Sequence, residues 1–156
     1  MPAKRKTNNK KMSNRAGKKP APQPRTKDTS SISTTIAPWL SVRGSARAVE
    51  FYKAAFGARE LFRLDGGGSV VARLSVEGAE FWLSDESPEH HNFSPESLSG
   101  STVRLILTVA DPDAMFARAV KAGAKAIYAV TEEHGWRVGR VVDPFGHHWE
   151  IGRQIA

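Results

Sequence analysis

The sequence predicts an α+β fold of two βαβββ modules, forming a curved mixed sheet around a cleft. Three observations carry this. About 120 residues at the C-terminal end read as one unit written twice. Strand-like runs outnumber helical ones. Each helical stretch sits between strands. The first copy runs through Val42, a helix over 46–56 and Gly57-Ala58. The second runs through Val109, a helix over 113–122 and Gly123-Ala124. The strand-end valine precedes the glycine by 15 residues in one copy and by 14 in the other. A repeat at this period constrains the whole fold. Two facing half-barrels leave a cleft whose inner strand residues decide what it binds.

In the first copy, residues 34–42 read as a strand carrying Ile36, Trp39, Leu40 and Val42. Pro38 lacks a donor N–H and places this end at an edge. Ser45 is expected to cap the following helix. Val49, Tyr52 and Phe56 fall at spacings of three and four on one helix face, and Gly57 stops the helix. Residues 60–64 alternate weakly, and Asp65-Gly66-Gly67-Gly68 is a turn. Residues 70–76 and 79–84 form a hairpin about Glu77-Gly78. The polar stretch 85–100 links the copies and is expected to act as a mobile lid.

The second copy opens with a strand over 102–109. Asp111 is a cap and Pro112 stands at the first helical position. Met115, Phe116, Ala119 and Val120 supply the buried helix face, and Gly123 stops it. Strands follow over 125–130, 136–142 and 147–153. Asp143-Pro144-Phe145-Gly146 forms the turn before the last.

Charge separates the chain into a domain and a tail. Residues 1–33 hold ten Lys or Arg against one acid, a net +9, whereas residues 34–156 carry −2. The tail has almost nothing to bury and is expected to be disordered. It is either a solvated extension or a polybasic arm for nucleic acid. It lacks aromatic residues that could stack on bases. The chain has no Cys, which excludes a disulfide framework, a thiolate metal site and a cysteine nucleophile. A reducing, cytoplasmic location is expected. No apolar run approaches the roughly 20 residues of a membrane helix.

The repeat resembles the vicinal-oxygen-chelate superfamily, together with the segments 109–116 and Gly139-Arg140-Val141-Val142-Asp143-Pro144-Phe145-Gly146-His147-His148-Trp149-Glu150. This superfamily holds glyoxalase I, extradiol dioxygenases and bleomycin-resistance proteins. Phe51-Tyr52-Lys53-Ala54-Ala55-Phe56-Gly57-Ala58 is similar to its PhnB-like, bleomycin-resistance-like branch. The resemblance covers residues 34–156, with modules at about 34–85 and 102–156. It implies a cavity between curved sheets, often completed by a homodimer. It is specific for fold and weak for reaction, because one fold hosts unrelated activities.

Metal-using members place ligands on the first and last strand of each module. Here those positions fall on Ala37, Trp82, Arg104 and Glu150; a one-residue slip would give Pro38 or Leu105. Only Glu150 can bind a metal, and an open catalytic site needs about three protein ligands. No cofactor is therefore expected. A divalent metal would need a non-standard set such as His148 and Glu150, completed by a partner chain.

His148 and Glu150 are two apart on a strand and share a face. They are the candidates for catalysis, as an acid/base pair, with Glu150 expected to raise the pKa of His148. Arg104 is expected to pair with Glu150 across adjacent strands. Trp82 faces the cleft or packs in the core. His147 reads as structural. His90-His91 could chelate a metal with His134, or remain solvated.

Together these readings predict a small-molecule-binding protein without the usual family metal site. Its ligand-binding residues are Trp39, Trp82, Arg104, His148 and Glu150. Whether it is also an enzyme is open, the alternative being a metal-dependent lyase or dioxygenase of the glyoxalase type. A tail-directed nucleic-acid-associated module is the third reading.

Overall fold

The computed structural model describes residues 2–3 and 33–155. The chain divides into two units, and every element below lies in the second, Thr35–Ala156. Most of the basic segment 1–33, expected to be disordered, lies outside the described residues. In order, the elements are β1 (Trp39–Val42), α1 (Ser45–Phe56), β2 (Arg59–Gly66), β3 (Ser69–Val76), β4 (Ala79–Asp85), a 3-10 turn (Pro88–His90), α2 (Pro95–Leu98), β5 (Arg104–Thr108), α3 (Pro112–Lys121), β6 (Lys125–Glu133), β7 (Trp136–Val142) and β8 (His148–Gln154).

The strands make two four-stranded mixed sheets, ordered β1-β4-β3-β2 and β5-β8-β7-β6. In each, the first strand runs parallel to the last and the other pairs are antiparallel. The intervening helix and strands give the chain the length that a parallel return needs. This is the βαβββ unit written twice, as the repeat predicts.

Alternation along β4 and β8 sends one set of side chains inward. Phe81, Leu83, Trp149 and Ile151 are buried in one core with α1 and α3. The Tyr52 ring of α1 lies 5.1 Å from Phe81 and 5.7 Å from Trp149, so it contacts both sheets. Each such side chain contributes about 1.5–3 kcal/mol by leaving water.

A buried carboxylate ties the modules together. Asp143 Oδ2 accepts from Tyr52 Oη at 2.7 Å and Trp149 Nε1 at 2.9 Å. Its Oδ1 accepts from the amides of Phe145 at 2.9 Å and His147 at 3.0 Å. His147 is itself buried, with Nε2 3.0 Å from the Ser41 carbonyl of β1. Asp143 opens the turn read from Asp143-Pro144-Phe145-Gly146 and His147 follows it, and the roles of both are structural.

Three local expectations are corrected. Ser45 is not the cap of α1. That place belongs to Gly44, whose left-handed φ of 87° a residue with Cβ resists. Asp85 of β4 instead accepts from the amides of Gly44 and Ser45 at 2.7 and 3.0 Å and from Ser45 Oγ at 2.6 Å. Burial pushes the Asp85 carboxyl up, but these bonds and one from Ser69 outweigh it and hold the pKa below the ordinary value. The first strand is shorter than the apolar pattern of 34–42, because among the described residues before Trp39 only the Pro38 carbonyl joins the ladder, accepting from the Trp82 amide at 2.9 Å. The stretch 85–100 is not a featureless lid. It carries α2 and is pinned by Glu86, which accepts from the Ser94 amide, Ser97 Oγ and Arg43 Nε. By contrast, Gly57 closes α1 and Asp111 caps α3 as expected. Among the described residues no helix is long and apolar enough to cross a membrane.

Candidate ligand-binding faces

The outward face of each sheet carries the residues of interest. On the first sheet, β1 and β4 run in register with Trp39 opposite Trp82. Their rings stack at 5.4 Å and 10°. Trp39 Nε1 donates to Ser84 Oγ at 3.0 Å, which fixes its plane. Arg73 of β3 lies opposite both Trp82 and Phe62 of β2. Its guanidinium sits 5.4 Å from the Trp82 ring centroid, and the Phe62 ring lies 5.7 Å from Trp82. Trp82 thus faces outward, while Phe81 and Leu83 turn to the core. Trp39 remains 56% exposed and Phe62 43% exposed, so the aromatic surface is open.

On the second sheet, Arg104 and Ile106 of β5 lie opposite His148 and Glu150 of β8. Arg140 of β7 lies opposite Glu150 on the other side, and Tyr128 of β6 opposite Arg140. The expected ion pair forms: Arg104 Nη1 reaches Glu150 Oε1 at 2.7 Å. Beside it a cavity of about 380 Å³ is lined by Ile106, Trp136, Val138 and Glu150 among others.

His148 shares this face with Glu150, but the two make no hydrogen bond to each other. The His148 pKa is lowered, not raised as the spacing suggested. Burial disfavours the charged ring, and the Arg140 and Arg104 charges add to this. Asp143 opposes the shift without overcoming it. The Glu150 carboxylate pairs with Arg104 and not with His148. His148 Nδ1 and Arg140 Nε are buried and have no hydrogen-bond partner.

The five residues expected to bind ligand therefore form two groups. Trp39 and Trp82 stand on one sheet, and Arg104, His148 and Glu150 on the other. Among the described residues no hydrogen bond, ion pair or ring contact joins the groups. Sequence reading missed Phe62, Arg73, Arg140, Tyr128 and Trp136. Alternation within 136–142 could have placed Arg140 on one face, but only the β7–β8 register sets it beside Glu150.

The metal positions carried from the resemblance do not fit an ion. Ala37 precedes β1 and Trp82 lies in an aromatic stack. Arg104 occupies Glu150 with a positive charge. Among the described residues no group of three or more His, Asp or Glu is placed to hold a metal, and that includes His90, His91 and His134.

Comparisons with known proteins agree with this fold. A family model described as the Glyoxalase/Bleomycin resistance protein/Dioxygenase superfamily matches residues 33–151. An uncharacterized protein of Mycobacterium tuberculosis is 40% identical over 130 residues, covering 80% of this chain and 76% of that protein. The crystal structure of TioX from a Micromonospora species has a TM-score of 0.61 at 27% identity, covering 78% of this chain and 99% of TioX. TnmS3, an antibiotic binding protein from a Streptomyces species, has a TM-score of 0.62 at 22% identity, covering 80% of this chain and 98% of TnmS3. This chain belongs to the Glyoxalase/Bleomycin resistance protein/Dioxygenase superfamily.

Proposed function

We propose that this protein is a bleomycin-resistance-like, PhnB-branch binding protein that holds a small planar aromatic molecule without a metal ion. The observation that carries the reading is the open stack of Trp39 on Trp82, flanked by Phe62 and Arg73. Flat rigid rings presented to solvent offer a ligand stacking area with little side-chain entropy left to lose. The fold accommodates such a role, since TnmS3 is described as an antibiotic binding protein.

The cleft has two walls, the Trp39–Trp82 face and the Arg104–Glu150 face, and the protein works as a homodimer. Support comes from the apolar groups left open on both: Trp39, Phe62 and Leu64 on one, Ile106 and Tyr128 on the other. Apolar faces of this kind mark interaction surfaces. A second copy laid over them would bring the two walls together around a ligand. The lack of Cys suits a cytoplasmic setting.

The test is titration of planar aromatic compounds against the purified protein, read by tryptophan fluorescence, alongside elemental analysis and sedimentation. Binding that Trp82→Ala weakens about tenfold or more, by protein free of stoichiometric metal, is the expected result. Stoichiometric metal that Glu150→Gln releases would direct the function to a lyase or dioxygenase instead.

A further inference from the structure

We infer that the ligand is an uncharged fused-ring aromatic seated at the seam between the two modules, against the outer face of Trp39. This rests on reading Trp39 and Trp82 as the stacking surface for the ligand.

The stack leaves one ring better placed than the other. Trp82 is covered by Trp39, Arg73 and Phe62. Trp39 turns one face to Trp82 and stands on β1, an edge strand of its sheet. Beyond that edge lies a cavity of about 330 Å³. Trp39 lines it, but no residue of β4 does, and its far wall is built from residues 100–103 and Leu105. A ring lying there meets Trp39 from the side away from Trp82 and adds a layer to the pile.

The segment joining the modules supplies the remaining wall, through Phe93 and Leu98. It is held in place before any ligand arrives. Glu86 accepts from the Ser94 amide and Ser97 Oγ. Pro95 is buried against the last turn, where a Cβ on Gly146 would stand 2.8 Å from it. A wall fixed in advance spares the ligand the cost of ordering it.

Size and charge select the ligand. Ligand pockets run from about 300 to 1,000 Å³, so this one suits a small fused-ring compound. Among the described residues that line it there is no Lys, Arg, Asp or Glu. Its hydrogen-bonding side chains are the hydroxyls of Ser41, Ser101 and Thr102 and the His147 ring, whose Nε2 is engaged by the Ser41 carbonyl. An ionised group entering would exchange water for a wall without a counter-charge, which is costly, whereas a neutral carbonyl or ring nitrogen needs only a hydroxyl.

The test titrates anthracene-9-carboxamide, anthracene-9-carboxylate and 9-(aminomethyl)anthracene against the full-length protein by calorimetry near neutral pH. The neutral carboxamide should bind at least about fivefold more tightly than either charged probe. Leu98 is 60% exposed and Val103 62% exposed, so a charge placed at either spares the core. Leu98→Glu and Val103→Glu should each weaken carboxamide binding at least about tenfold, while Phe62→Ala, beyond Trp82, should leave it within about twofold. Thermal unfolding checks that the variants are folded, and sedimentation follows their assembly. Charged probes that bind as tightly as the carboxamide overturn the inference and leave the aromatic reading standing. So does binding that Phe62→Ala weakens and the two Glu variants do not. A dimer that Leu98→Glu dissociates gives this surface to a second copy and overturns the inference. Failure of all three probes to bind overturns the aromatic reading and this inference with it.

Discussion

Replacing Asp143 with Ala should be among the most damaging single changes in this fold. The carboxylate is 4% exposed and accepts four hydrogen bonds, two from side chains and two from amides. Its removal strands the Tyr52 hydroxyl and the Trp149 indole N–H in the core. Each buried donor left unpaired costs about 1–3 kcal/mol, and the two amides add to this in part. Partial relaxation brings the total to about 4 kcal/mol, a large share of the 5–15 kcal/mol that holds a typical domain together. Urea denaturation followed by circular dichroism measures it. A second variant sharpens the reasoning. Tyr52→Phe removes one charge-assisted bond and should cost about 1.5–3 kcal/mol in the native background. In the Asp143→Ala background it removes an orphaned hydroxyl, so it should be neutral or stabilising. An Asp143→Ala protein within about 1 kcal/mol of the native one, or equal costs of Tyr52→Phe in both backgrounds, would refute the account.

Three further outcomes are expected. The Tyr52 pKa is raised well above its ordinary value, first by burial and then by the Asp143 charge. The folded state thus keeps this proton longer than the unfolded chain, so the contribution is full below about pH 10 and is lost as pH climbs further; Tyr52→Phe should flatten the alkaline fall in stability, and an unchanged slope would contradict this. The Glu86 carboxyl is held at about 2, mainly by Ser97, the Ser94 amide and Arg43. Its contribution is present above about pH 4.5 and lost as pH falls towards 2, so Glu86→Gln at neutral pH should expose 88–98 to limited proteolysis, and a cleavage pattern like the native one would count against the pinning role. Glu150→Ala breaks the pair with Arg104 and leaves two arginines on one face. Because Arg104 is 58% exposed, the cost is only about 0.5–1 kcal/mol, or about 1–4 °C in Tm; an unchanged Tm would refute any role for the pair in stability.

The fold was legible wherever it rests on local rules. Gly57 ends α1 because its left-handed φ of 66° suits glycine, and its amide bonds back to Lys53 O. Asp111 and Pro112 start α3 through their own chemistry. Alternation along 79–84 correctly set Trp82 against Phe81, and the repeat gave the module order. The site was half legible. The same alternation put His148 and Glu150 on one face, and adjacent parallel strands supplied Arg104. The pKa direction of His148 was misread, because it depends first on burial and then on Arg140 from β7, neither of which spacing encodes. The capping role given to Ser45 failed similarly, since Asp85, 40 residues away, reaches the helix start first.

The sequence by itself therefore determined the two βαβββ modules and the shared face of His148 and Glu150. Those properties follow from backbone preferences and a two-residue period, which act between near neighbours. Only the tertiary structure decided which side chains meet. The Tyr52–Asp143 bond spans 91 positions, and the stack of Trp39 on Trp82 and the setting of Arg140 beside Glu150 depend on strand register. Register and shielding are properties of the packed whole, and neither is set between near neighbours in the chain.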